Sequence, residues 1–547
     1  MKSTEKELKD YVEKQREQSK KLIEIGIALS AEKDISNLLE LIVDSARDFT
    51  NADGGTLYIV SDDEKSLNFE IVQTNSLNIR MGGKTGEEIN WPPVPLFNED
   101  GSPNKENVSA NVAITKKLVN IPDVYDVEGF NFEGTRKFDE STGYRSMSML
   151  VIPMLNHENE IIGVLQLLNS KDESTDETIP FTEENIDLTA SLASQAAIAV
   201  TNVRLIQDLK DLFDSFIRTI ATAIDEKSPY TAGHISRVAN LTMEIARKIN
   251  VTEWGKYGKF NFSDDELEEL RLAAWMHDVG KITTPEHVVD KSTKLEKIFD
   301  RVDLLKIRFE AIKLQMEKEW YNKKIEILTD EGKESKKLAE LDKEYSGKIA
   351  KFNDDAEFCM QCNVPGEFME DDKIERLQEF AKQSYGFNGE SQPYISGDEL
   401  LNLSIKRGTL NESDRKIIEN HATMTLKMLN ELPFSKKLQH VPQYAAAHHE
   451  KLNGTGYPLK LKGDEISVQA RVMAIADIFE ALTAKDRPYK DPMKLSQAIK
   501  ILGFMVKDEH LDPDLVEVFL KEGMAEEYAK EHLLPEQIDW KTSDLDS

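Results

Sequence analysis

Asp477 stands inside the run Ala-Arg-Val-Met-Ala-Ile-Ala-Asp-Ile-Phe-Glu-Ala-Leu, whose apolar, small-residue pattern carries a carboxylate into a helix core. An unpaired carboxylate there costs several kcal/mol, so whatever fold the chain takes has to bring a counter-charge to it. Candidates stand elsewhere in the chain. His448-His449 leads at once into the glycine-punctuated turn Glu-Lys-Leu-Asn-Gly454-Thr-Gly456-Tyr457-Pro458, and upstream lie His234, the pair His277-Asp278 and His421. Five of the ten histidines thus fall in short stretches that also carry carboxylate, lysine or glycine. Five imidazoles and two carboxylates suffice for a metal site. A salt bridge from Asp477 to Arg471 or Arg487 is the plainer alternative.

In Ala-Ala-Trp-Met-His277-Asp278-Val-Gly280-Lys281 an apolar helix ends in an imidazole, a carboxylate and a cation. Neighbouring helical side chains diverge by about 100°. His277 and Asp278 therefore reach different metals unless the carboxylate bridges two, and a bridging Asp278 is the economical arrangement.

The 547 residues exceed what one core supports, so two or three domains are expected. The balance of 69 basic against 100 acidic side chains, a net charge of −31, repels nucleic-acid polymers and anionic membrane surfaces at long range. It leaves room for a small anionic substrate where bound cations and a few lysines or arginines reverse the potential locally. Only Cys359 and Cys362 are present, which fits a reducing cytoplasm. No stretch approaches the roughly 18 apolar residues of a membrane span, and the N-terminus lacks a signal-peptide core. The expectation is a soluble, cytoplasmic protein.

Along the chain, Leu22, Ile25 and Leu29, then Ile35, Leu38, Leu39 and Ile42, predict an amphipathic helix pair over residues 1 to about 50. From Gly55 the period changes to two, and strands are predicted near Thr56–Val60, Leu67–Val72, Ser148–Met154 and Ile161–Asn169, with a turn at His157. A long helix follows Phe181-Thr-Glu-Glu and runs toward Ala223. Its rough coiled-coil spacing serves a dimer seam or a linker packed on its own domains equally well. Between Glu296 and Phe352 the stripe Ile298, Val302, Leu305, Phe309, Ile312, Met316 and Trp320, a break at Asp330-Glu-Gly332, then Leu338, Leu341, Tyr345 and Ile349 predict a helical hairpin. Cys359-Met-Gln-Cys362 supplies half of a four-cysteine zinc site. Two unpaired thiols, a site shared across a dimer and a thiol switch all remain open readings.

The first 200 residues resemble a GAF domain through the paired strands Met149–Pro153 and Gly163–Asn169, followed by Phe181-Thr-Glu-Glu and Ala-Ser-Gln-Ala-Ala-Ile-Ala-Val. Cyclic-nucleotide-binding members carry Asn-Lys and Asp-Glu where Asn169-Ser170 and Asn185-Ile186 stand here, so the ligand is unknown. His157 is read as a surface residue and not as a haem ligand.

His234, His277-Asp278, His421, His448-His449-Glu-Lys-Leu-Asn-Gly-Thr-Gly-Tyr-Pro and Asp477, with Arg487-Pro-Tyr-Lys490 behind them, resemble the HD-GYP branch of the HD phosphohydrolases. The resemblance implies two divalent cations, iron or manganese, with zinc also chemically suited. One would take His234, His277, Asp278 and Asp477, the other Asp278, His421, His448 and His449. A third cation occurs in members with a glutamate just before the first histidine; here Ser228-Pro-Tyr-Thr-Ala-Gly stands there, with Asp225 and Glu226 further back. Lys281 is expected to be catalytic with Asp278, neutralising charge on the phosphoryl or leaving oxygen. Arg487 and Lys490 are expected to hold a second phosphate, and Gly454, Gly456 and Tyr457 to form a substrate loop in which Tyr457 either touches substrate or packs the turn.

The expected architecture is multidomain: an α+β GAF domain, an antiparallel sheet with flanking helices, followed by an all-α HD-type domain with a helical-hairpin insertion. The boundaries read as an N-terminal helix (1–33), the GAF domain (34–203), a coupling helix (204–224), the catalytic domain in two parts (225–294 and 401–525), the insertion with the cysteine pair (295–400) and a tail (526–547). The implied function is hydrolysis of cyclic di-GMP to the linear dinucleotide or GMP by a homodimer under control of its GAF ligand. The alternatives are an HD hydrolase of another cyclic dinucleotide and a catalytically silent interaction module.

Overall fold

The computed structural model describes residues 2–227, 233–330, 336–366, 368–484 and 492–546. They form two compact units, residues 1–213 and 214–547.

In the first unit α1 (Lys2–Ala31) and α2 (Ile35–Thr50) precede β1 (Ala52–Val60), β2 (Ser66–Thr74), β3 (Ile79–Gly82) and β4 (Val94–Pro95). Then come α3 (Val108–Thr115), β5 (Val119–Ile121), α4 (Glu133–Thr142), β6 (Met149–Leu155), β7 (Ile161–Lys171), β8 (Thr178–Ile179) and α5 (Glu183–Asp225). The antiparallel sheet runs β3-β2-β1-β7-β6-β5, with β4 added to β2 and β8 to β7. The central strand β1 is buried along its whole length, and its alternation sends Leu57 and Ile59 to one face, Tyr58 and Val60 to the other. A register slip opposite Leu57 and Tyr58 skips Glu70, so Leu67 and Phe69 face the Tyr58 side while Ile71 joins the Leu57 side. On the Leu57 face α1, α2 and the first part of α5 close the core with Leu29, Leu38, Ile42, Leu192 and Val200. α2 starts where Asp34 accepts the Asn37 N–H, which satisfies one otherwise orphaned helix-end donor.

The second unit takes the last turns of α5, whose Ile217, Ala221 and Ile224 enter its core. It continues with α6 (His234–Val251), α7 (Asp264–Met276) and, after a 3₁₀ turn, α8 (Glu286–Val289). Next stand α9 (Val302–Asp330), α10 (Lys336–Gln361), α11 (Asp371–Ala381), β9 (Ser384–Phe387), β10 (Glu390–Pro393) and α12 (Gly397–Leu403). The chain returns through α13 (Glu412–Asn430), α14 (Val441–Ala446) and α15 (Val468–Thr483), and ends in α16 (Leu495–Lys507), α17 (Pro513–Lys521) and α18 (Met524–His532). Capping boxes mark several helix starts: Ser263 with Glu266 opens α7, Ser396 with Glu399 opens α12, and Asn411 with Asp414 opens α13.

The insertion has a core of its own in which Leu305, Phe309, Phe352, Leu377, Phe380 and Tyr394 meet, separate from the core built on α6, α7 and α15. Its base is fastened by Lys291, whose buried ammonium donates to Asp414 at 2.7 Å and to Asn402 at 3.2 Å. Three expectations are corrected here, and one alternative is narrowed. Ile298 lies ahead of α9 and is 91% exposed, because the helix begins only at Val302. The insertion holds, besides its helical hairpin, a two-stranded β-hairpin turning at Asn388-Gly389. Residues 526–547 are no loose tail: α18 buries Ala525, Tyr528 and Ala529 at helical spacing in the main core. Beyond it, Gln537 donates to the carbonyls of Thr483 and Met493. Arg471 pairs with Asp512 at 2.8 Å and leaves Asp477 to other partners.

Candidate metal centre

Five helical segments carry the site. His234 opens α6, His277 and Asp278 end α7, His421 lies mid-way along α13, and His448 and His449 sit in the 3₁₀ turn (Ala447–His449) that follows α14. Asp477 and Glu480 come from α15, one turn apart. Close approach of α13 to the turn after α7 depends on Gly280, where a Cβ would stand 1.9 Å from the His421 carbonyl oxygen. The same contact is sewn by Thr425, whose hydroxyl accepts the Gly280 N–H and donates to the His277 carbonyl, each at 3.0 Å.

Every one of the four most buried imidazoles is held by its Nδ1. His277, His421 and His448 donate it to the carbonyls of Ala274, Ile418 and Ala445, three residues back, at 2.8, 2.5 and 2.7 Å. His234 donates to the Glu480 carboxylate at 2.5 Å. A carbonyl can only accept, so Nδ1 carries the proton and Nε2 presents a lone pair. The Nε2 atoms of His277, His421 and His448 and Oδ1 of Asp278 are buried without a hydrogen-bond partner. Such atoms are rare in a folded core, and imidazole lone pairs converging on carboxylates form the donor set of a cation site.

The ligand atoms fall into two groups, His234-His277-Asp278 and His421-His448-His449, each within 4.8 Å of one another. Asp278 lies between them, with Oδ2 at 3.2 Å from His277 and 3.5 Å from His234, and Oδ1 at 3.4 Å from His421. Asp477 also spans the two, with Oδ1 at 3.3 Å from His234 and Oδ2 at 4.0 Å from His449.

The electrostatics divide along the same line. Burial pushes the His421 imidazole down, takes His448 to about 3 and holds His449 well below its ordinary value, so these rings are neutral. For His234 burial is outweighed by Glu480, Asp278 and Asp477, and its proton is held tightly; Asp278 does the same for His277. Burial would raise Asp278 and Asp477, but His277 and Lys281 hold the first well below the usual carboxylate range, and His234 and His449 the second. Two ionised carboxylates beside the neutral rings of His421, His448 and His449 suit divalent cations, whose ligands must be deprotonated; a cation bound at His234 and His277 would displace the extra proton those rings hold.

Lys281 lies in the 3₁₀ turn Val279–Thr283, and its Nζ donates to Asp278 Oδ2 at 2.6 Å while 28% of the side chain remains exposed. The loop after His449 doubles back on itself. A Cβ on Gly456 would lie 2.5 Å from the Glu450 Cα, and Gly454 takes φ +80. The Tyr457 ring stands 4.8 Å from that of His449. Arg487, Lys490 and the segment Ser228–Ala232 lie outside the described residues, as do Glu331 and Gly332 of the expected break. Asp225 is buried, and burial raises its carboxyl to about 6; Glu226 is exposed.

Two residues escaped the sequence reading. Glu480 anchors His234 and is itself held by Arg237 at 2.7 Å. Glu450 accepts the backbone N–H groups of Leu459, Lys460 and Leu461 at 2.6 to 3.0 Å and ties down the end of the loop. The signal for Glu480 was its place one turn after Asp477 in an apolar run.

Elsewhere, Cys359 and Cys362 are free thiols in the insertion core, and burial raises Cys359 to about 12. His157 is exposed in its turn. The first unit holds a cavity of about 680 Å³ lined by Tyr58, Phe69, Trp91, Phe138 and Gln166 among others. No helix among the described residues is long and apolar enough to cross a membrane.

Residues 34–200 match the GAF domain family, and residues 231–349 and 396–515 each match an HD domain. The chain is 33% identical over 170 residues to 3'3'-cGAMP-specific phosphodiesterase 1 of Vibrio cholerae, across 28% of this chain and 37% of that protein. It is 43% identical over 97 residues to 3'3'-cGAMP-specific phosphodiesterase 3 of the same organism, across 18% and 20%. To the cyclic di-GMP phosphodiesterase of Thermotoga maritima it is 34% identical over 119 residues, across 22% and 32%. The chain spans well under two thirds of the length of these curated relatives.

Proposed function

We infer that this chain, a GAF domain followed by an HD-type domain, is a metal-dependent phosphodiesterase that opens cyclic di-GMP to the linear dinucleotide or on to GMP in bacterial signalling. The observation that carries this reading is the pair of His-rich groups with buried, partnerless Nε2 atoms on either side of Asp278. Two divalent cations, iron or manganese, would be held by His234, His277, Asp278 and Asp477 and by Asp278, His421, His448 and His449. Bound there they supply Lewis-acid activation of the phosphodiester and of water. The protein's own part is positional. Backbone carbonyls and Glu480 fix the rings, and Asp278 offers one oxygen to each group. Lys281, hydrogen-bonded to Asp278 at the exposed edge, adds positive charge where the phosphate arrives. The loop with Gly454, Gly456 and Tyr457 is assigned to border the substrate, and Arg487 and Lys490 are assigned to hold the second phosphate.

A second reading, hydrolysis of 3'3'-cGAMP, is favoured by the higher identity to a relative that bears that name. The test of both is product chromatography after incubating each cyclic dinucleotide with protein purified without oxygen and loaded with iron or manganese. Linear or mononucleotide product that disappears with chelator is expected. Metal-loaded protein that leaves both substrates intact would refute the reading.

The GAF cavity is the expected seat of a regulatory ligand, and the reduced cysteine pair fits the cytoplasm. Homodimerisation is proposed through α5, where Leu205, Leu209, Leu212 and Phe216 repeat at heptad spacing and are each more than half exposed. Leu209→Glu is expected to halve the mass seen by light scattering.

A further inference from the structure

Beside the metal centre lies a cavity of about 360 Å³ that shares His449 and Asp477 with it and continues away from the ligands. Among the described residues its walls include Lys451 and Tyr457 from the loop after His449, Ile478 and Leu482 from α15, Ala484 and Pro492, and Met505 and His510 from the end of α16 and the turn beyond. That turn is fixed by the His510 N–H, which donates to the Met505 carbonyl at 2.8 Å. Among the described residues the half-buried His510 ring has no hydrogen-bond partner.

Beyond the shared His449 and Asp477 the described lining is mostly apolar, with Lys451, Tyr457 and His510 as its polar groups. This composition suits a flat, weakly polar group far better than a second phosphate. The volume is near the lower end of the roughly 300–1,000 Å³ of ligand pockets, room for one nucleoside and not for a whole cyclic dinucleotide. A cyclic dinucleotide with its scissile phosphate at His449 and Asp477 must put one of its two nucleosides close by, and this is the space that adjoins those ligands.

We propose that this cavity seats one purine nucleoside of the substrate, with the base between Ile478, Leu482 and Met505 and its polar edge read by His510. The proposal rests on the phosphodiesterase reading above and adds to it a specificity residue outside the metal centre. Burial, with Lys451 nearby, lowers the His510 imidazole to about 4, so at neutral pH it offers one donor and one acceptor to a base edge.

The test compares kcat/KM for cyclic di-GMP with kcat/KM for bis(p-nitrophenyl) phosphate, a phosphodiester without a nucleoside, in the metal-loaded full chain. His510→Phe keeps a ring and removes both nitrogens. The ratio of the two values is expected to fall about tenfold, the worth of one buried hydrogen bond, with the loss in KM and the metal content preserved. Met505→Trp, which fills the cavity, is expected to lower the ratio further and decides the matter if His510→Phe fails to load metal. An unchanged ratio in the metal-loaded variants overturns the nucleoside site and leaves the phosphodiesterase intact. A wild-type chain that binds metal but cleaves neither substrate overturns both.

Discussion

A histidine ligates well only when its other nitrogen is occupied, and here three are tied to backbone carbonyls while the fourth depends on a side chain. Glu480 is thus the one removable anchor. Glu480→Gln, which keeps the shape and removes the charge, is expected to weaken metal affinity roughly 10- to 100-fold, read by competition with a chromogenic chelator, while circular dichroism stays as in the wild type. Gly280→Ala sets a methyl against the His421 carbonyl and should cost about 1–3 kcal/mol of stability, seen as a lower midpoint in urea. At this scale the histidines and the two aspartates were legible because few other roles explain such residues inside apolar runs. Glu480 and Glu450 were not, since glutamate is abundant and its use as an anchor shows only when the facing residue is known. The hydrogen bond from Lys281 to Asp278 was hidden for a similar reason: it follows from a 3₁₀ turn whose tightness no spacing rule announces.

Among the elements, period alone placed the strands β1, β2, β6 and β7, which send alternate residues into two cores, and the long helices α5, α9 and α10, which turn one face to a core. The hairpin β9–β10 was missed although Asn388-Gly389 is a strong turn signal, since its strands are short, polar and mostly exposed. The end of the chain was misjudged because α18 reads as charged: Met524, Tyr528 and two alanines mark its buried side. Insertion and host domain have separate cores and meet at Lys291. Replacing residues 295–403 by a short flexible linker is therefore expected to leave a folded, metal-binding second unit, measured by metal stoichiometry and a cooperative thermal transition. Loss of both would mean that the insertion completes the host core.

For the whole molecule, protons and metal act on the same reserve of buried groups. His510, at about 4 in the folded chain against about 6.5 for a free imidazole, stays neutral where the unfolded chain takes up a proton. Its contribution is whole above about pH 6.5 and is lost as pH falls toward 4. The buried His421, His448 and His449 and the lowered carboxylates Asp278 and Asp477 act in the same sense. Asp225, raised to about 6, is relieved as pH falls, and the raised His234 and His277 stabilise at the acid side; they run the other way. With chelator present, the thermal midpoint should fall between pH 6.5 and 4, and His510→Asn should make that fall shallower. The anchoring of His234 by Glu480 also has a consequence in time. The two are 246 positions apart, and a ribosome adding about 5–20 residues per second takes about 12–50 seconds to pass from one to the other. From Asp278 until His421 emerges the nascent chain displays His234, His277 and Asp278 alone, and the candidate ligand set is complete only once α15 has been synthesised.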